Sequence, residues 1–406
     1  MLPEFRRRFW HPPRAHGDII EDRSVSFLEL FYDLVYVVVI GQAAHHLAEH
    51  VTWQGVFDFA VIFGLIWIAW VNGTLYYDLH GREDGRTRVF VFIQMLILVV
   101  LAVYTGNAAG QTGQGFAIAY VVFLGVLSYL WFSIRRLDSD EYLASSTRYL
   151  ASMLMTMIAM TITIFLTDDA RMLVWTGIVV FWVVASFVFA QMTGMRSALA
   201  VNDSLVERYG LFVIIVLGEV VVGVVGGLSG ADRNIETIAT GLVGLSVGFA
   251  YWWTYFDFVG GRLPVDRPIH RMAWIFTHLP ITMGVAAAGA AMVSLIEHGD
   301  ETSTPEATAW LLSGSIAVAL VALAATMGTL RDLRRYGQAL KQVMGAMAIT
   351  AGVILVIGWM APAPWMLAGL LVAALMVLWL FAISRWIAVK KPTGTELQPD
   401  SLDDSP

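Results

Sequence analysis

Three carboxylates stand out because of where they fall. Glu29 and Asp33 lie in FLELFYDLVYVVVIGQAAHHL and Glu219 lies in LVERYGLFVIIVLGEVVVGVV, two long apolar stretches. An ionisable side chain in hydrocarbon faces a partner, a water-filled cavity or a solute path, because an isolated charge there is costly. Glu29 and Asp33 are four residues apart, which puts them on one face of a helix. Two carboxylates within one turn repel if both ionise, so one keeps a proton or an arginine sits between them. Arg208 or Arg88 could be that arginine. The pair is then either a mouth that binds a cation or proton, or a lock at a helix end. The attraction of a helix N-terminus for negative charge favours the lock.

Glu219 lies deeper. It falls about 13 residues into its stretch, roughly 20 Å at 1.5 Å per residue, with no charged neighbour in VIIVLGEVVVGVVGG. A carboxylate at that depth must be protonated, hydrogen-bonded, cation-bound or wetted. Gly218, Gly223, Gly226 and Gly227 let another backbone approach it closely. A proton-relay or transport role is therefore weighed against a structural hydrogen bond between helices. Gln42 is its neutral counterpart on the first stretch, and Asn72 is a polar ligand or a helix–helix contact on the second. His278 stands beside Pro280, whose ring frees a backbone carbonyl; it either titrates near neutral pH or packs as a satisfied histidine. Asp78 and Asp257 stand beside Arg82 and Arg262 and read as ion-pair latches between helices, while Glu207 and Arg208 open the stretch that carries Glu219.

The elements that position these groups are membrane-spanning helices. The 406-residue chain is 58% hydrophobic and only 14% charged, against about 25% charged residues in soluble domains. A transmembrane helix needs about 20 apolar residues to cross about 30 Å of hydrocarbon. Twelve stretches fit: 28–48, 55–77, 89–107, 115–134, 148–166, 172–193, 206–226, 237–259, 271–293, 309–329, 340–359 and 364–387. APAP follows the eleventh at once, so a re-entrant or tilted segment is the alternative there. The fold class is all-α and polytopic. It divides into an N-terminal segment, 1–27, two six-helix halves, 28–193 and 206–387, and a polar tail, 388–406.

Charge sets the expected orientation. With twelve spans, all of the 25 lysines and arginines except Arg171 and Arg233 fall on one side, which the positive-inside rule makes cytoplasmic. Both termini are then cytoplasmic. The start, MLPEFRRRFWHPPRAHGD, has a basic cluster without the apolar core of a signal peptide and reads as a retained segment.

The two halves echo each other. LELFYDLV is matched by VERYGLFV, pairing Glu29 with Glu207 and Phe31 with Tyr209; YYDLHGR is matched by YFDFVGGR, pairing Tyr76 with Tyr255 and Asp78 with Asp257. Gly41-Gln42 sits close to Gly218-Glu219 with a slip of one residue. Six spans per half imply parallel repeats related by an axis along the membrane normal.

The blocks from Phe27 to Tyr36, F-L-E-L-F-Y-D-L-V-Y, and from Glu207 to Glu219, E-R-Y-G-L-F-V-I-I-V-L-G-E, resemble the bacterial low temperature requirement protein A (LtrA) family. The resemblance covers nearly the whole membrane part. It implies a multi-pass protein of the bacterial inner, or cytoplasmic, membrane with a link to growth in the cold, and it carries no settled substrate or mechanism.

Several classes are disfavoured. There is no H-E-x-x-H, no P-loop and no G-x-G-x-x-G, no loop long enough for a catalytic domain, and no basic surface for nucleic acid. Neither enzymatic activity nor a cofactor is expected. His45, His46, Glu49 and His50 imitate a metal cluster, but consecutive histidines spread around a helix, so no metal is expected. The absence of cysteine excludes disulfides and thiol chemistry. The leading expectation is a secondary transporter or permease for a small solute, proton-coupled through Glu219, with the lipid bilayer, that solute and a proton as its partners. A membrane scaffold or sensor, or an ion channel, is the alternative. Transport predicts a cavity between the halves that reaches Glu219.

Overall fold

The structure, a computed structural model, describes residues 9–16, 25–192, 201–232, 234–334 and 337–389. Of the basic residues counted in the charge asymmetry, Arg6 to Arg8, Arg23, Arg196, Arg233, Arg335, Lys390 and Lys391 lie outside these residues, as does most of the polar tail. Twelve long helices follow one another: α1 (Phe27–Glu49), α2 (Trp53–His80), α3 (Gly85–Thr105), α4 (Gly113–Arg135), α5 (Asp140–Thr163), α6 (Asp168–Met192), α7 (Asp203–Gly230), α8 (Ile235–Phe258), α9 (Pro268–Glu297), α10 (Glu306–Met327), α11 (Gly337–Met360) and α12 (Pro364–Val389). Eleven are long and apolar enough to cross a membrane. The exception is α5, whose opening turns, DEYLASSTR, are polar and extend the helix eight residues before the expected start. The re-entrant alternative for the eleventh span is not adopted: α11 is a continuous helix of 24 residues.

Side-chain caps define where several helices begin. Ser26 caps α1 in a reciprocal box: its Oγ accepts from the Glu29 backbone N–H, and the Glu29 carboxylate accepts from the Ser26 N–H at 3.0 Å. Asn202 caps α7 by accepting from Leu205 N–H at 2.7 Å, while its amide donates to Asp78 at the end of α2 at 3.0 Å. One residue thus both starts α7 and fixes its mouth to the first half. Residues 9–16 dock on this same arginine-rich end, where Arg14 donates to the carbonyl oxygens of Asp78 and Gly81.

Helix neighbours recur between the two sets of six. In the first, α1 packs on α2 and α3, α2 on α4 and α6, and α3, α4, α5 and α6 pack in succession. In the second, α7 packs on α8 and α9, α8 on α10 and α12, and α9, α10, α11 and α12 pack in succession. Between the sets, α9 leans on α1, α2 and α6, and α7 leans on α1 and α2. The counterpart of α9, which is α3, makes no comparable contact with α7. The most deeply buried helix is α9, followed by α2 and α10.

Small residues set how near the central helices come. The Ala-Gly run of α9, from Ala286 to Ala291, faces Gly223 of α7 through Gly289, and Gly227 faces Ile296 two turns further on. A Cβ on Gly223 would collide with the Gly289 carbonyl oxygen, and a Cβ on Gly289 would lie 2.6 Å from the backbone oxygen of Glu219. Lipid tails are as apolar as a leucine, so such contact is held by dispersion and close backbone approach. Gly289→Ala is expected to cost about 1–3 kcal/mol, read as a lower thermal midpoint of the purified protein. Gly218→Ala, which meets nothing within 4 Å, is expected to leave it unchanged.

Candidate functional site

The acidic pair of α1 holds an arginine of α7. Arg208 donates through Nε to Asp33 Oδ2 at 3.0 Å and through Nη2 to Asp33 Oδ1 at 2.9 Å, and its Nη1 lies 3.4 Å from Glu29 Oε1. Asp33 takes a third donor, the indole N–H of Trp70 on α2, at 2.8 Å. All three charged groups are buried. The planar guanidinium fork matches a carboxylate at two points, so the pair is oriented as well as neutralised. Glu29 shares its charge with the Ser26 cap and the α1 N-terminus. Of the two arginines expected from the sequence, Arg208 is the partner and Arg88 is exposed.

An aromatic wall surrounds this cluster. Trp70 stacks on Phe212 at 3.9 Å and meets Tyr209 edge-on at 4.9 Å. Tyr209 in turn contacts Trp274 and His278 of α9. His278 is satisfied at both nitrogens: Nδ1 lies 2.6 Å from the Trp274 carbonyl and Nε2 lies 3.0 Å from the Tyr255 hydroxyl. A carbonyl only accepts, so Nδ1 carries the proton and Nε2 accepts from Tyr255. This is the packing alternative for His278. In the first set of helices Tyr77 donates to Gln94 of α3 at 2.5 Å.

Glu219 sits where α1, α7 and α9 meet. The side of its carboxylate is closed by Gly41 of α1, where an added Cβ would lie 3.1 Å from Oε1. Among the described residues it has no hydrogen-bond or ion-pair partner, although the residue is only 7% exposed. Gln42, the expected counterpart, is exposed and turned toward Gly106 at the end of α3. The neighbouring Gly41 meets Glu219 instead.

Other expectations are redistributed. Asp78 pairs with Asn202 rather than Arg82, which donates to the Pro12 carbonyl at 3.0 Å. Asp257 accepts from the indole of Trp379 on α12 at 3.1 Å, while Arg262 forms its ion pair with Asp332. Arg262 also donates to the backbone carbonyl of Asp257 at 2.7 Å, so the contact beside it in sequence is to the main chain while the Asp257 carboxylate turns to α12. Glu207, matched in sequence with Glu29, is exposed and accepts from the Val25 N–H at 3.3 Å. Arg171, a charge at the other end of the bundle, is consumed internally by Asp168 and the carbonyls of Thr163 and Leu166.

Asn72 lines an interior cavity. Its amide donates to the Ile68 carbonyl at 2.7 Å, and its oxygen accepts from the Tyr149 hydroxyl. The cavity, about 50 Å³, lies between α2, α5 and α6 on one side and Met272, Ile275 and Phe276 of α9 on the other. Trp67 also lines it, with an indole N–H that has no acceptor among the described residues. A wider groove of about 790 Å³ opens between α2, α9 and α10, lined by Val56 and Ala60, Met283 and Ala287, and Gly314 and Ser315. Glu219 lines neither.

The two cavities share one seam. On α2, residues 56 and 60 line the groove and residues 67 and 71 line the inner cavity; on α9 the matching residues are 283 and 287, then 272 and 276. Spacings of four and seven keep each set on one helix face. The closed stretch between them, from 60 to 67 on α2 and from 276 to 283 on α9, is about 10 Å long at 1.5 Å per residue. It contains buried Phe63 and Leu279.

Eleven long apolar helices around a buried ion cluster and paired cavities define a polytopic helical membrane protein. The family model for bacterial low temperature requirement A protein (LtrA) matches residues 24–383, and the chain belongs to that family. It is also similar to an uncharacterized protein of Rhizobium meliloti (strain 1021), 28% identical over 297 residues, or 65% of this chain and 68% of the relative. No solved structure matches.

Trp70 was missed by sequence reasoning, since an indole inside IWIAWVNG reads as core. The Arg208 cluster generates a graded prediction. Asp33→Asn leaves a guanidinium facing one neutral partner and should cost about 3–5 kcal/mol, the scale for breaking a buried pair. Glu29→Gln, at the 3.4 Å contact, should cost distinctly less. Thermal unfolding of the two purified variants checks the order.

Proposed function

We propose that this protein is a carrier for a small solute, built from two six-helix halves whose seam is the solute path, and that it is not an enzyme. The observation that carries the reading is the pair of cavities along one face of α2 and one face of α9, each set of residues drawn from a different half. A path between the halves, closed by a short plug, suits alternating access, in which one half rocks against the other around a site between them. The recurrence of helix neighbours supports the two halves. By the distribution of arginines, the inner cavity faces the cytoplasm and the groove faces outward.

The inner cavity sets the class of solute. Its walls are aromatic and aliphatic, and its polar atoms are the Asn72 and Tyr149 pair, the hydroxyls of Ser152 and Ser186, and the free indole N–H of Trp67. No charged side chain lines it. About 50 Å³ holds a few waters, so in this closed form it suits the polar end of a small neutral molecule. Larger solutes need the plug to open.

The cysteine-free chain makes the path directly testable. Ser186→Cys in the inner cavity is expected to react with a small membrane-impermeant thiol reagent only from the cytoplasmic side. Gly314→Cys in the groove, where an added Cβ meets nothing within 4 Å, should react only from the outside. Ser246→Cys, exposed on the outer surface of α8, is the lipid-facing control and should react from neither. If neither cavity position can be labelled, the solute-path reading fails and a closed scaffold takes its place.

Proton coupling is assigned to Glu219. Among the described residues its carboxylate has no hydrogen-bond or ion-pair partner, and its backbone touches Gly289, two residues beyond the groove-lining Ala287 of α9. A change in protonation would thus press on the helix that walls the path. In proteoliposomes, uptake of a transported solute should rise with an imposed pH gradient, and Glu219→Gln should abolish that rise while leaving the labelling pattern intact. Gradient-driven uptake that survives the substitution removes Glu219 from the coupling.

A further inference from the structure

The end of α1 that lies away from the ion cluster carries a group of side chains that the transport reading does not use. His46, Glu49 and His50 lie at positions i, i+3 and i+4, and their ligand atoms all fall within 4.8 Å of one another. Sequence reasoning set this group aside because His45 and His46 are consecutive. The structure separates them: His46 joins Glu49 and His50, while His45 lies outside the triad, with Nε2 3.3 Å from Glu49 Oε1.

We propose that His46, Glu49 and His50 form a binding site for a divalent transition ion of the zinc class. Two imidazoles and one carboxylate are the donor set that such ions take, with a fourth position left to water. The spacing H-x-x-E-H puts all three donors on one face across a single turn. The tautomer of His50 is compatible with ligation. His50 Nδ1 lies 3.1 Å from the His46 carbonyl, and a carbonyl can only accept. Nδ1 therefore carries the proton, which leaves the Nε2 lone pair for a metal. Metal-bound histidines are typically oriented by such a bond from the other ring nitrogen. His45 does the same for the carboxylate by contacting Glu49.

The surroundings suit a cation. Glu49 and His50 are exposed and His46 is half-buried, so an ion has access from water. Asp58, on the opening turns of α2, interacts electrostatically with His46 and adds negative charge without joining the triad. Its carboxylate is held by Gln54 at 2.8 Å. Val51 and Thr52, which follow His50 directly, line the wide groove. A bound ion would stiffen the α1–α2 turn at that groove's mouth.

The test uses the untagged full chain in detergent or nanodiscs, titrated with zinc against a chromophoric chelator and with cobalt by visible absorption. One equivalent should bind. His46→Ala and His50→Ala should each weaken binding by at least about tenfold, and Glu49→Gln should weaken it less. His298→Ala is the control, because His298 also ends a helix and bonds back to the Ser294 carbonyl but belongs to no such triad. The cobalt spectrum should show four-coordinate nitrogen and oxygen ligation, which a merely destabilised variant would lose only on unfolding, tracked by circular dichroism. Absence of stoichiometric binding by the wild type, or binding unchanged in the His46→Ala/His50→Ala double variant, overturns the site. Either result leaves the solute-path labelling experiment untouched.

Discussion

A buried charge must be answered on the spot, and the contact between Arg208 and Asp33 is where this fold answers it. An unpaired guanidinium or carboxylate in a hydrocarbon setting costs several kcal/mol even after relaxation. The two groups therefore fix α1 against α7, the first helix of each set of six, to within a hydrogen bond. Trp70 then has a single place to stand, donating to Asp33 and lying flat on Phe212. From that indole an aromatic chain runs through Tyr209 to Trp274 and His278, so the register of α9 follows from the register of α1. The ion cluster does locally what the glycine contacts of α7 and α9 do over a longer distance. One specifies position, and the other permits closeness.

Much of this was legible in the sequence. The apolar stretches located all twelve helices within a few residues, apart from α5, where polar opening turns carry the helix past its apolar part. The i, i+4 spacing of Glu29 and Asp33, with an arginine opening the seventh stretch, predicted the charge cluster because electrostatics leaves few choices in hydrocarbon. Asp78 and Asp257 do tie helices together, but through Asn202 and Trp379, partners the sequence did not single out, for the converse reason. At a helix end, water, loop carbonyls and indoles all compete, so adjacency in sequence does not select a partner. Asp257 took Trp379, some 122 residues away.

The cavities were not legible at all. A lining residue such as Val56 or Met283 is an ordinary apolar side chain, and only the packing of several helices decides whether its neighbour is an atom or a void. The expected cavity at Glu219 met the same limit. Hydropathy gives depth along a helix but not the direction in which a side chain points; here it points at Gly41. The proposed metal site rests on a third kind of information. Counting ligands by adjacency obscured a set whose spacing of three and four is the helical repeat itself.

Pro280 lies on α9 between the segment that lines the inner cavity and the segment that lines the groove. Without an N–H, proline cannot bond the carbonyl of Phe276, and its ring crowds that turn. The helix most deeply embedded in the bundle is thus weakest along its axis at the level of the plug. If the carrier proposal holds, that missing hydrogen bond is where α9 would bend most readily, letting one mouth of the proposed path widen while the arginine-rich end of the bundle stays in place.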